Sequence, residues 1–97
     1  KITIGNLTLD ADAVTAVVDG TELPVTTREF NILYKLLSYP NKTFSRGQLM
    51  DEFWGVDSDT SLRAVDVYIT KLRDKFSACN EFEIRTIRGL GYKAVLL

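Results

Sequence analysis

There is no histidine among the 97 residues of this chain, and only one cysteine, Cys79. Without an imidazole, a Ser-His-Asp or Cys-His arrangement is impossible and the commonest general base is missing. The sole thiol sits in a polar link with no activating cation beside it, so it reads as a plain surface or half-buried side chain. It has no partner for an internal disulfide, which agrees with a reducing compartment. One Cys and no His also fall short of the usual zinc-ligand spacings. Asp57 and Asp59 do not make a calcium loop, because the Gly and terminal Glu of that loop are not at the required offsets. No catalytic residue, metal or cofactor is therefore expected. No run of about 18 apolar residues occurs and the start is not signal-like, so a membrane span and a secreted precursor are both unexpected.

A chain of 97 residues with 45% hydrophobic content fits one domain, residues 1–97, burying about two-thirds of its unfolded surface. Strand-like sequence begins at once from Lys1, as expected of a domain cut from a longer protein. The net charge of −1, from 12 basic and 13 acidic side chains, hides an asymmetry. Residues 1–62 carry 5 basic and 9 acidic groups, whereas residues 63–97 carry 7 basic and 4 acidic. Local field, and not the total, steers a polyanion to a surface. So modest a patch predicts weak, salt-sensitive binding.

The first 25 residues alternate in period two, with Ile2 and Ile4, Leu7 and Leu9, then Val14 and Val18, broken by Gly5-Asn6, Asp10 to Asp12 and Asp19-Gly20. That pattern predicts a meander of up to four short antiparallel strands. Thr26 with Glu29 makes a capping box for a first helix that puts Phe30, Leu33, Leu36 and Leu37 on one face and ends at Pro40. Ser45 with Gln48 repeats the box for a second helix burying Leu49, Met50 and Phe53, and Gly55 is placed for a left-handed exit. The acidic loop 56–61 offers N-caps for a third helix running to about Phe76. Leu62, Val65, Ile69, Leu72 and Phe76 fall on its core side.

The opposite arc of that helix holds Arg63, Val67, Thr70, Lys71 and Asp74. An uncharged Val and Thr between cations suit base edges, where Val meets a thymine methyl and Lys a guanine. Beyond a polar link, residues 82–87 and 92–96 read as strands joined by Arg88-Gly89-Leu90-Gly91, a hairpin whose glycines allow positive φ. A basic helix followed by a glycine-tipped hairpin with one Arg presents two probes of different shape, one for each groove of a duplex. Blander readings stand beside this one: a solvated basic helix face, Arg88 paired with Asp66, and Trp54 and Tyr92 as core aromatics whose N–H or O–H still reaches a phosphate.

The order of these segments resembles the C-terminal output domain of the OmpR/PhoB family of bacterial two-component response regulators. The resemblance rests on Leu23 to Leu33, Phe44-Ser45-Arg46-Gly47-Gln48-Leu49, Phe53-Trp54-Gly55, Arg63 to Ile69, Leu72-Arg73-Asp74-Lys75 and Thr86 to Tyr92. It implies an α+β winged helix-turn-helix, with an N-terminal four-stranded antiparallel sheet, three helices and a C-terminal β-hairpin wing. By position it implies base contacts from Val67, Thr70 and Lys71 in the major groove and from Arg88 in the minor groove. It further implies phosphate contacts from Arg46, Trp54, Gly55, Arg63, Tyr68, Arg73, Thr86 and Tyr92. Residues 56–62 match a segment that touches RNA polymerase in the family. Some members carry Arg at the position of Thr70, and His or Gln at that of Tyr68. The resemblance also implies a cytoplasmic bacterial regulator of transcription, dimeric when intact and monomeric as this domain. Its phosphate-accepting receiver domain, the partner of a sensor kinase, lies outside this chain. The rival reading is a protein-interaction module on the same scaffold, favoured by the −1 charge and the acidic first two-thirds. An exposed apolar patch would mark the rival, and a basic stripe across helix and wing would mark DNA.

Overall fold

The computed structural model describes residues 1–97. The alternating pairs at the start form strands β1 (Ile2–Ile4), β2 (Leu7–Asp10), β3 (Thr15–Val18) and β4 (Thr21–Leu23), an antiparallel sheet in the order β1-β2-β3-β4. Its inward side chains include Leu7, Leu9 and Ala16, all fully buried. Val14, read in the sequence as a strand residue, instead lies in the β2–β3 turn at φ +54° and is exposed. The reason is the Asp10 carboxylate, which accepts from the Asp12 and Ala13 N–H groups at 3.0 and 3.2 Å and curls the chain before β3 begins.

Both capping boxes form as the spacing predicts. Before α1 (Thr27–Ser38), Glu29 N–H donates to Thr26 Oγ1 at 3.2 Å and Thr26 N–H donates to Glu29 Oε1 at 2.8 Å. Before α2 (Arg46–Trp54), Ser45 and Gln48 do the same at 3.0 and 2.8 Å. The third helix, α3 (Arg63–Lys75), starts differently, for no side chain of the acidic loop caps it. Leu62 occupies the N-cap position, and Ala64 and Val65 N–H groups donate to the Ser61 and Leu62 carbonyls three residues back. Such a tight first turn satisfies early amides without a cap side chain. Because Leu62 precedes the helix, it is exposed and not on the core side, while Val65, Ile69, Leu72 and Phe76 are buried as expected.

The C-terminal hairpin pairs β6 (Phe82–Ile87) with β7 (Gly91–Leu96). A two-residue strand that the sequence did not announce, β5 (Phe44–Ser45), joins β7 through Phe44↔Tyr92 and Ser45↔Gly91, giving the order β5-β7-β6. This contact explains Gly91. Only Gly89 takes positive φ in the wing turn, at +77°; Gly91 is needed because a Cβ there would overlap the Phe44 carbonyl.

Two sheets and three helices enclose one apolar cluster that includes Phe30, Leu33, Leu49, Ile69 and Ala94. Cys79 belongs to it, at 6% exposure, so the thiol is buried and not at the surface. The one buried charged side chain, Glu29, meets Lys75 Nζ at 2.6 Å. Burial works to raise its pKa, but Lys75 and the Thr26 amide and hydroxyl outweigh this and hold the carboxyl below its ordinary 4.5. No helix is long and apolar enough to cross a membrane.

Candidate nucleic-acid interface

At about 100° per residue, α3 divides into four strips. Val65, Ile69 and Leu72 face the core. Asp66 and Arg73, seven positions apart, share the edge beside the wing, and Tyr68 marks the other edge, beside Trp54. Between those edges Arg63, Val67, Thr70, Lys71 and Asp74 are all exposed. Val67 is 46% exposed, an apolar side chain left in solvent amid polar neighbours.

The edges are built by interactions that span the chain. On the Tyr68 side, Trp54 packs edge-on to the Tyr68 ring with centroids 5.3 Å apart. Arg28, from the first turn of α1, lies 4.5 Å from the Trp54 ring centroid, and its Nε donates to the Phe53 carbonyl at 3.2 Å. The Lys71 ammonium rests 5.0 Å from the centroid of the Tyr68 ring. This arrangement keeps Trp54 and Tyr68 half-buried. Gly55 leaves α2 at φ +95° and ψ 149°, with its N–H donated to the Met50 carbonyl at 3.2 Å. Its φ is positive as the sequence suggests, but the ψ is extended and not that of a left-handed helical turn, so the chain departs straight into the exposed loop. That region of φ and ψ is almost confined to glycine.

On the wing side Asp66 is shared. Tyr92 Oη donates to its Oδ1 at 2.6 Å, and Arg46 Nη1, at the start of α2, donates to Oδ2 at 3.0 Å. Asp66 is therefore not the partner of Arg88. Burial, followed by the hydrogen bond and charge of Asp66, pushes the Tyr92 phenol above its ordinary 10.0. Arg73 donates to the Ile84 carbonyl and to Thr86 Oγ1, which leaves the Thr86 hydroxyl proton for another acceptor. Thr70 donates its hydroxyl to the Asp66 carbonyl at 3.1 Å, and its side chain is exposed. Arg63 and Arg88 are exposed, and no hydrogen bond or ion pair holds either side chain.

The structure thus gathers Arg46, Asp66, Thr86 and Tyr92 around the groove between α3 and wing, a cavity of about 450 Å³ also lined by Leu62 and Gly89, while Arg73 reaches Thr86 from outside that lining. Trp54, Gly55 and Tyr68 lie across the helix from it. Arg28 escaped the sequence reading, because nothing in the first turn of α1 signals a ring 26 positions away. Asp66 appeared there only as a possible partner for Arg88, and its two actual partners lie 20 and 26 positions off.

Two helices joined by a loop, the second laid beside a β-hairpin, with a four-stranded sheet packed on the helix before them, define a winged-helix domain. A family model described as "Transcriptional regulatory protein, C terminal" matches residues 20–94. Response regulator ArlR of Staphylococcus haemolyticus is 37% identical over 92 residues, which is 94% of this chain and 42% of that protein. The RstA DNA-binding domain of Klebsiella pneumoniae, solved in complex with the RstA box, superposes with a TM-score of 0.83 at 30% identity, covering 97% of this chain and 95% of that one. The DNA-binding domain of response regulator AdeR, solved in complex with an intercistronic region, gives a TM-score of 0.84 at 30% identity over 100% of both chains. The chain belongs to this family, the winged-helix effector domains of OmpR/PhoB-type response regulators. It spans 42% of the length of the ArlR relative.

Proposed function

We propose that this chain binds duplex DNA in a sequence-specific way, as the transcriptional output of a two-component response regulator. The carrying observation is the exposed strip Arg63, Val67, Thr70, Lys71 on α3, lying beside a wing whose Arg88 has no partner within the chain. An α-helix fits the B-form major groove, and a lone arginine on a narrow hairpin suits the minor groove. Val67, Thr70 and Lys71 read base edges there, and Arg88 senses the adjoining minor groove. Arg63, Arg46, Thr86 and the Trp54-Gly55 corner place the domain on phosphates, with Tyr68, Arg73 and Tyr92 behind them. The relatives solved on DNA, RstA and AdeR, support this reading.

The intact regulator adds a receiver domain that takes a phosphoryl group from a sensor kinase and dimerises, so two copies of this domain occupy two half-sites. A second weak site contributes by effective concentration. Between α2 and α3 the loop 56–62 stands out from the domain, with Val56 at 76% exposure, and serves as the contact for RNA polymerase.

The test is nitrogen-proton chemical-shift mapping with a pool of random-sequence duplexes at low and then moderate salt. Shifts confined to residues 46, 54–55, 63–74 and 86–92 that fade with salt are expected. Shifts elsewhere, or none at low salt, would refute DNA binding through this face and favour a protein-interaction module.

A further inference from the structure

The wing is tied to α3 at two points: Arg73 holds Ile84 and Thr86 of β6, and Asp66 holds Tyr92 of β7. Thr86 and Tyr92 face each other across β6 and β7, next to the Ile87–Gly91 pair that closes the wing. Arg73 Nη2 donates to Thr86 Oγ1 at 2.9 Å, and Nε and Nη2 donate to the Ile84 carbonyl at 3.1 and 2.7 Å. Tyr92 Oη donates to Asp66 at 2.6 Å, and the Arg73 guanidinium carbon stands 5.6 Å from the Tyr92 ring centroid. Two anchors seven residues apart on a helix are separated by about 10.5 Å. A single tie would let the hairpin pivot, whereas two at this separation fix its angle as well as its distance.

We propose that Asp66 and Arg73 are positioning residues that set the angle of the wing to α3 and so place Arg88 relative to Val67, Thr70 and Lys71. The inference rests on the DNA-reading roles proposed above for those residues. Arg88 has no partner of its own, so the hairpin backbone decides where it reaches. It lies two residues beyond Thr86, about 7 Å along the strand. A pivot of about 10° at the Thr86–Tyr92 pair therefore moves it by about 1 Å, outside the roughly 0.5 Å within which a preorganised contact must be held. The chemistry of Asp66 points the same way. A carboxylate on a face that meets a polyanion opposes binding unless it has structural work, and here Arg46 neutralises it while Tyr92 occupies its other oxygen.

The experiment uses a duplex selected from a random pool by the chain itself, with two derivatives. One replaces the A·T pairs flanking the core by G·C, and the other changes one core pair recognised through Lys71. The two Kd ratios report wing and helix separately. Each is expected at about tenfold for the unaltered chain, in the range of a good base contact. Arg73→Met should bring the flank ratio below about twofold and leave the core ratio within about twofold of its starting value, with partial recovery in Arg73→Lys. Asp66→Asn, which still accepts from Tyr92, should keep the flank ratio, and Asp66→Ala should lose it. A flank ratio untouched in Arg73→Met, or both ratios falling together, would overturn the proposal. Should the unaltered chain show no flank preference, or Arg88→Ala leave that preference unchanged, the minor-groove role of Arg88 fails first. The tie is then judged in the free protein by residual dipolar couplings of amides 86–92 relative to those of α3. A reorientation above about 10° in Arg73→Met, or in Arg73→Lys if the former does not fold, would uphold it, and an unchanged angle would refute it.

Discussion

Replacing Lys75 by Met should expose how the core tolerates its one carboxylate. Glu29 is 2% exposed, and its Oε1 receives both Lys75 Nζ at 2.6 Å and the Thr26 N–H at 2.8 Å. Met keeps most of the Lys75 stem in place but removes the ammonium, leaving a buried anion with Thr26 as its remaining partner. Breaking a buried pair from one side costs about 3–5 kcal/mol. The Lys75 side chain is 35% exposed, so solvent screens part of the interaction and the expected loss is about 2 kcal/mol. For a domain of this size that lowers Tm by roughly 8–16 °C at pH 7. Thermal unfolding followed by circular dichroism measures it. The pH dependence supplies the stricter check. Glu29 titrates below 4.5 in the folded chain, so the stability it contributes is fully present above its unfolded pKa and is lost as pH falls through the folded value. Without Lys75, burial dominates and Glu29 takes up its proton at a higher pH, so the gap in Tm between the two proteins must narrow on acidification. A gap of the same size at pH 7 and at pH 3 would refute the electrostatic account and leave only lost packing.

Three further outcomes follow from contacts described above. Gly91→Ala should cost about 3 kcal/mol, because the new Cβ meets the Phe44 backbone, which cannot rotate aside as a side chain would; urea unfolding measures it, and a change under about 0.5 kcal/mol would show that β5 yields freely. Arg28→Met removes the cation from the Trp54 face and should cost about 1 kcal/mol while altering Trp54 fluorescence, the only indole signal in the chain; unchanged emission would mean that Arg28 does not order that ring. Tyr92 should ionise above 10.0 in an ultraviolet titration, and Asp66→Asn should bring it down. Its raised folded pKa stabilises the fold below the unfolded pKa of tyrosine, and that contribution is lost as pH rises through the folded value.

What could be read from the sequence was local. Thr26 with Glu29 and Ser45 with Gln48 announced two helix starts, since a capping box is complete within four residues. The period of Val65, Ile69, Leu72 and Phe76 fixed the inward side of α3, and therefore the outward strip of Val67, Thr70 and Lys71. Val14 and Leu62 were misplaced for a common reason: each sits one or two residues outside a regular element, where the period of the neighbouring strand or helix no longer decides which way a side chain points. Strand β5 was invisible because two residues carry no period at all, and Phe44 and Ser45 become a strand only through β7. Arg28 was omitted, and Asp66 and Arg73 were named for other partners than those they hold. Their partners are 11 to 26 positions away, and what they do depends on how helices and hairpin are juxtaposed, which no pattern in α3 or α1 encodes.

The pairing of Phe44 with Tyr92 also bears on the order in which the domain comes together. These residues are 48 positions apart, and between them lie α2, α3 and β6. A chain emerging from the ribosome can form its N-terminal meander and α1 early, since those contacts are near in sequence. The seam that shuts the second sheet has to wait until residues 91–96 are free to move. Until then Phe44 lacks its strand partner, and the apolar faces of three helices stay partly open to neighbouring chains, the condition under which unfinished domains aggregate. The hairpin that bears Arg88 is thus the clasp of the fold: a nascent copy acquires its reach toward DNA in the same closing step that makes it safe from its neighbours.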